Sequence, residues 1–123
     1  MAKLCLNSRD ELIMIDIDNI AYIKADGNYT KMIYISGQET NVSLGLSKLE
    51  EYIRKALPKD KSSSFVRLGR SLMINQRFLY HISVTRQKLT LSDYQNKFHT
   101  ITVPKLLLKK YKELIGGTYA VNK

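Results

Sequence analysis

The stretch Ile20-Ala21-Tyr22-Ile23-Lys24-Ala25-Asp26-Gly27-Asn28-Tyr29-Thr30-Lys31-Met32-Ile33-Tyr34-Ile35 decides how this chain folds. Two runs rich in β-branched and aromatic residues flank Asp26-Gly27, a strong turn signal because glycine accepts positive φ without steric cost. The stretch therefore predicts a β-hairpin. Ser36-Gly37-Gln38-Glu39 then returns the chain into Thr40-Asn41-Val42, so the hairpin has a loop at each end. Upstream, Leu4 and Leu6 alternate with polar neighbours, and Ser8-Arg9-Asp10 turns the chain. Leu12-Ile13-Met14-Ile15 is a further short run, closed by turn formers from Asp16.

Downstream the period changes. Leu46, Leu49, Ile53 and Leu57 fall on one stripe of a helix. Ser47 with Glu50 three residues on has the form of a capping box, and Pro58 stops continuation. The apolar stripe is expected to pack on the sheet, and residues 59–64 read as a polar loop. Short strands then return at 65–68, 72–74, 80–84, 88–91 and 97–103. Asn75 can cap a single helical turn through Phe78. A last helix is expected from Pro104, a good first helical residue, to Gly116-Gly117, a good stop.

The whole reads as one mostly β domain with short α-helices, residues 1–123, with a core over about 4–115 and a tail at 116–123. The two helices are separated by a long strand-rich stretch. A helix-turn-helix needs its helices joined by about 3–4 residues, so that reader is excluded. If the chain binds DNA, its loops or strands must do the reading.

The charge points to such a partner. Lys and Arg number 20 against 11 Asp and Glu, a formal net charge of +9. Residues 1–60 carry 8 basic and 9 acidic side chains, whereas residues 61–123 carry 12 basic and 2 acidic. A basic half of this kind attracts a polyanion: nucleic acid, an anionic membrane or an acidic protein. The single cysteine, Cys5, cannot form an internal disulfide and fits a reducing compartment. No apolar run approaches the roughly 20 residues a membrane helix needs, and no leader pattern is visible, so a soluble, cytoplasmic protein is expected.

An enzyme is not expected. His81 and His99 lack partners at metal-ligand spacing, and there is no phosphate loop, nucleophile elbow or zinc-protease motif. Asp16 and Asp18 sit at a turn signal and read as strand caps. Neither a metal nor a cofactor is implied.

Small polar clusters carry more information. Arg67-Leu68-Gly69-Arg70-Ser71 places two guanidinium groups, a glycine and a hydroxyl on one loop, the donors that phosphates and base edges take up; a solvated loop with surface ion pairs reads the same way. Asn28, Thr30 and Lys31 follow the Asp26-Gly27 turn and could serve likewise, or be a plain hairpin. Lys109, Lys110 and Lys112 complement the dipole at the end of the last helix. Lys105 stands at its start, where the dipole disfavours a cation. The 8 tyrosines leave single-strand stacking open, although Tyr22, Tyr34, Tyr52 and Tyr111 sit where packing residues belong.

Taken together these strings resemble the LytTR family of bacterial DNA-binding domains. Ile20 to Thr30 is similar to the family's I-x-Y-I-x-A-x-G-N-Y-T, and Phe65 to Asn75 to its F-x-R-x-H-R-S-x-x-V-N. Ser43-Leu44 with residues 46–57 resembles its S-L-x-x-L-E helix, and Ile101 to Lys105 its final I-P-V-S-R element. The resemblance implies a LytTR-like stack of small antiparallel sheets with two main helices, whose loops enter successive major grooves of promoter DNA at direct repeats. It implies a first contact loop with Asp26, Asn28, Thr30 and Lys31, and a second with Arg70 on a base edge and Ser71 on phosphate. Lys105 would make the third contact, and Thr30, Arg70 and Lys105 together would set sequence choice. Arg67 and Asn75 would support the second loop, with Arg67 also able to meet phosphate. Gly69 stands where the family usually has His, and Pro104-Lys105 where it has Ser-Arg. The implied role is a transcription regulator of a two-component system, allowing a dimer on DNA and either a receiver domain or a separate sensor kinase as partner. A β-rich RNA or single-strand binder, and a module for an acidic protein, are the alternatives.

Overall fold

In the computed structural model, which describes residues 2–57 and 64–121, the expected hairpin is the centre of the molecule. Strands β3 (Ile20–Asp26) and β4 (Tyr29–Tyr34) pair antiparallel up to Asp26 opposite Tyr29. Gly27 supplies the turn at φ +62°. β4 continues into β5 (Glu39–Val42), while the other edge of β3 takes β7 (Leu72–Asn75), itself paired with β6 (Phe65–Arg67). The result is a five-stranded antiparallel sheet in the order β5-β4-β3-β7-β6. A two-stranded sheet, β1 (Lys3–Asn7) with β2 (Leu12–Asp16), lies on one side. On the other lies a three-stranded meander of β8 (Leu79–Ser83), β9 (Lys88–Ser92) and β10 (Phe98–Thr102). The helices are α1 (Leu46–Ala56) and α2 (Lys105–Tyr119).

Both faces of the central sheet are covered. On β7, Met73 faces one way and Leu72 and Ile74 the other, as the two-residue period of a strand requires. The Met73 face packs with Ile15, Ile17, Leu46, Leu49 and Ile53, from the first hairpin, the turn after it and α1. The opposite face packs with Leu89, Leu91, Ile101, Leu108 and Tyr111, from the meander and α2. On β3, Ile20 and Ile23 share a face although three residues apart. They can do so because the pairing with β4 slips between Ile20 and Tyr22, a bulge that turns Ala21 toward the second core.

Two polar groups lock this arrangement. Asn75 is 1% exposed, and its amide nitrogen donates to Ile20 O at 2.9 Å while its carbonyl oxygen accepts from Ser64 Oγ at 2.7 Å and from Arg77 N–H at 3.2 Å. It is the cap expected for the turn at Gln76–Phe78. Tyr111 on α2 donates its hydroxyl to Gln76 Oε1 at 2.8 Å, and burial pushes this phenol up to about 12, so it stays a donor.

Two expectations change. Ser47 does not cap α1: Gly45 holds that position without a side-chain bond, and Ser47 and Glu50 both turn toward Arg67. Leu57 closes α1 in extended backbone, as a residue before proline prefers. The polar stretch expected at 59–64 lies, apart from Ser64, outside the described residues. α2 runs past Gly116-Gly117 to Tyr119, because neither glycine takes the left-handed conformation that ends a helix, and Ala120 N–H bonds Gly116 O instead. No helix among the described residues is long and apolar enough to cross a membrane.

Replacing Asn75 with Ala should lower stability by about 2–3 kcal/mol, since it leaves the buried Ile20 carbonyl without this donor. Urea unfolding of the two proteins at neutral pH measures the difference.

Candidate nucleic-acid interface

The register of β3 with β7 places Lys24 opposite Leu72, so the end of β3 and the start of β7 share one edge of the sheet. The turn at residues 26–29 leaves from one and the loop at residues 68–71 leads into the other. Ala25 N–H donates to Ser71 O at 2.8 Å and ties them together. Gly69 folds this loop at φ +87°, and a Cβ there would lie 3.0 Å from Leu107 Cδ1 on the first turn of α2. Any side chain would be strained by the φ and would press on α2. The hairpin turn, the loop and the start of α2 are thus held side by side.

Between them runs a groove of about 470 Å³, lined by Lys24, Arg70 and Ser71 from the hairpin and the loop and by Thr100, Thr102 and Pro104 from β10 and the approach to α2. Tyr22, Leu68, Gly69, Leu72, Ile101 and Leu107 complete its lining. No carboxylate lines it, whereas the comparable hollow beside Lys3 includes Asp16 and that along α1 includes Glu50 and Glu51. Burial pushes the Tyr22 phenol up, helped by the charge of Glu39, so it offers a neutral hydroxyl. The groove presents cations and hydroxyls without a competing anion, which suits a phosphate backbone.

Of the expected contact residues, Asp26, Asn28, Arg70, Ser71 and Lys105 are exposed along this edge. Lys31 is half-buried, with Nζ 3.9 Å from Glu39, a pair exposed enough to exchange for a phosphate at little cost. Thr30 is different. It is 0% exposed, and its hydroxyl donates to Leu44 O, tying β4 to the approach to α1. Alternation along β4 turns it inward, so it cannot reach a base edge in this conformation.

Arg67 is also otherwise engaged. Its Nε donates to Gly69 O at 3.3 Å and Nη2 to Arg70 O at 3.0 Å, while Nη1 meets Ser47 Oγ at 3.3 Å and Glu50 Oε1 at 3.0 Å. With these bonds made it supports the loop and has no fork left for phosphate. Lys24, Thr100 and Thr102 were not picked out from the sequence. Lys24 lies within the hairpin string itself, but only the strand pairing, which sets it opposite Leu72, brings it to the groove that Arg70 and Ser71 also line.

Among the described residues, no three His, Cys, Asp or Glu side chains are grouped so as to hold a metal. A family model described as the LytTr DNA-binding domain matches residues 10–116. This chain belongs to the LytTr DNA-binding domain family. Among solved structures, a Bacillus cereus chain described as the LytTr DNA-binding domain of a methyl-accepting/DNA response regulator superposes with a TM-score of 0.61 at 22% identity. The match covers 94% of this chain and 98% of that one, a likeness of fold. Comparison with functionally curated sequences finds no match. The LytTr match begins within the turn before β2, so β1 lies outside it, although β1 pairs with β2 along its length.

In this LytTr domain, Glu50 joins α1 to the loop. Burial pushes its carboxyl up, but hydrogen bonds from Arg54 and Arg67 and their charges outweigh that and hold it below its ordinary value of 4.5. A depressed carboxyl stabilises the fold above the unfolded pKa, and this is lost as pH falls through the folded one. Glu50→Gln should therefore be less stable than the parent at pH 7, with the gap closing in acid as the parent's own carboxyl protonates. Urea midpoints at pH 7 and pH 3 read the two differences.

Proposed function

We propose that this LytTr domain binds double-stranded promoter DNA in a sequence-specific manner and acts in the cytoplasm as a bacterial transcription regulator. The observation that carries this reading is the Ala25–Ser71 bond, which holds two polar loops side by side against a groove free of carboxylates. Arg70 is the base-reading residue, its guanidinium without a partner among the described residues and suited to the paired acceptors of guanine. Asp26 and Asn28 approach neighbouring base edges, and Lys105 makes a third contact from the start of α2, as a point charge rather than a fork. Lys24, Lys31 and Ser71 hold phosphates and set the register. Thr30 shapes the first loop from inside. Direct repeats, occupied by two copies, and control by a receiver domain or a separate sensor kinase complete the proposal.

One observation favours a second reading. Tyr80, Tyr94 and Phe98 are 55%, 62% and 55% exposed on the meander, and rings of this kind can stack on unpaired bases. Against it, Tyr80 already meets both neighbours edge to face at 5.8 and 5.3 Å, and the Tyr94 hydroxyl is bound to Leu79 O. Titration of duplex DNA, single strands and hairpin RNA across salt separates the two, duplex preference being expected.

The direct test is Arg70→Ala, measured on a duplex selected by the parent protein and on random duplex. It should cost about 1–3 kcal/mol on the selected site and little on the random one. Lys109→Ala should weaken both alike or neither. Equal losses from Arg70→Ala on both duplexes would contradict the base-reading role.

A further inference from the structure

We infer that Glu50, an acidic residue on α1, is a positioning residue for sequence reading, acting through Arg67 on the backbone that carries Arg70. The inference rests on the function proposed above. Arg67 bridges two bodies: one side grips the carbonyls of Gly69 and Arg70, the other grips Ser47 and Glu50 on α1. Glu50 in turn is shared, Oε1 with Arg67 at 3.0 Å and Oε2 with Arg54 Nη2 at 2.6 Å. The carboxylate is only 19% exposed and Arg67 27%, so this pair is sheltered from solvent more than the neighbouring Lys48–Glu51 and Lys55–Glu51 pairs.

The loop needs such a hold. Gly69 has no side chain and a left-handed φ, a backbone with freedom to leave its observed shape. Among the described residues, the hydrogen bonds that hold residues 69 and 70 are the two from Arg67 to their carbonyls, flanked by Leu68 N–H to Leu72 O and Ala25 N–H to Ser71 O. A planar fork makes both bonds only if its own orientation is set, and Glu50 sets it through a charge-assisted hydrogen bond on the far side. Glu50 thus orders the fork, the fork orders the carbonyls, and the carbonyls fix where the Arg70 side chain starts.

This carries a consequence opposite to simple electrostatics. Removing a negative charge from a protein that binds a polyanion should raise affinity for every duplex. Removing Glu50 should raise affinity only for random duplex and lower it for the selected one, because a loosened Arg70 can still meet phosphate but reads a base less well.

The experiment measures the ratio of affinities for the selected and random duplexes in the parent, Glu50→Gln, Glu51→Gln and Arg67→Lys, at fixed salt and at a temperature where circular dichroism shows each folded. Glu51, which pairs only with Lys48 and Lys55 among the described residues, is the charge-matched control. Glu51→Gln should leave the ratio unchanged, whereas Glu50→Gln should lower it about fivefold, the low end of the loss expected from a base contact itself. Arg67→Lys keeps the charge but not the fork, and should lower the ratio with random-duplex affinity unchanged; it keeps the proposal testable should Glu50→Gln fail to fold. A Glu50→Gln ratio equal to that of Glu51→Gln, or an undiminished ratio in Arg67→Lys, would overturn the positioning role. If Arg70→Ala still abolishes discrimination in that case, the proposed function stands without it. A parent with no preference for any duplex would overturn both.

Discussion

The pairing of β3 with β7 is the constraint on which the rest of the molecule depends. Only three residue pairs form that register, Tyr22 with Ile74, Ile23 with Met73 and Lys24 with Leu72. Yet it joins two segments some fifty positions apart in sequence and makes a single sheet of a three-stranded unit and a hairpin. A slip of one residue would turn Met73 out of one core and Leu72 and Ile74 out of the other. The buried amide of Asn75, bonded to Ile20 O, closes the far end of the same pair and opposes that slip. The near end carries the two loops, so the element that fixes the core also fixes the interface.

The two faces of this sheet are given different duties by their charge. The side covered by β1, β2 and α1 comes from the half of the sequence where acids and bases balance, and α1 pairs its charges along its own length, with Glu50 also reaching Arg67. The side covered by the meander and α2 comes from the half with 12 basic and 2 acidic residues. One of those two acids, Asp93, accepts from the backbone N–H groups of Gln95, Asn96 and Lys97, the last of these the main cause that holds its carboxyl below the usual range. The groove beside Arg70 lies at the seam and takes its cations from both halves, Lys24 from the balanced one and Arg70 from the basic one. Net charge by segment is therefore a poor map of the interface.

Much of the fold was legible because its signals are local. The Asp26-Gly27 turn, the helical stripe of Leu46, Leu49 and Ile53, and the Asn75 cap each depend on neighbours within a few residues. What was not legible depends on partners far along the chain. Ser47 and Glu50 have the spacing of a capping box, but a guanidinium 17 to 20 residues away competes for both side chains and wins with charge. Thr30 lies beside the turn in the sequence yet inside the molecule, since alternation from the exposed Tyr29 turns the next residue inward. Gly116 and Gly117 can end a helix but do so only in a left-handed conformation that this backbone does not take. Lys24 gains its place in the groove from the β3–β7 register, which no local pattern encodes.

The central claim is that one edge of the sheet, formed by the ends of β3 and β10, the loop before β7 and the start of α2, is the surface that meets duplex DNA. Amide chemical shifts recorded while a selected duplex is added test this residue by residue. Changes should concentrate at residues 24–31, 68–71 and 100–105, with the first hairpin at residues 3–16 and the outer face of α1 left nearly unmoved. Changes centred on α1 or on that first hairpin, with residues 68–71 unaffected, would contradict the account.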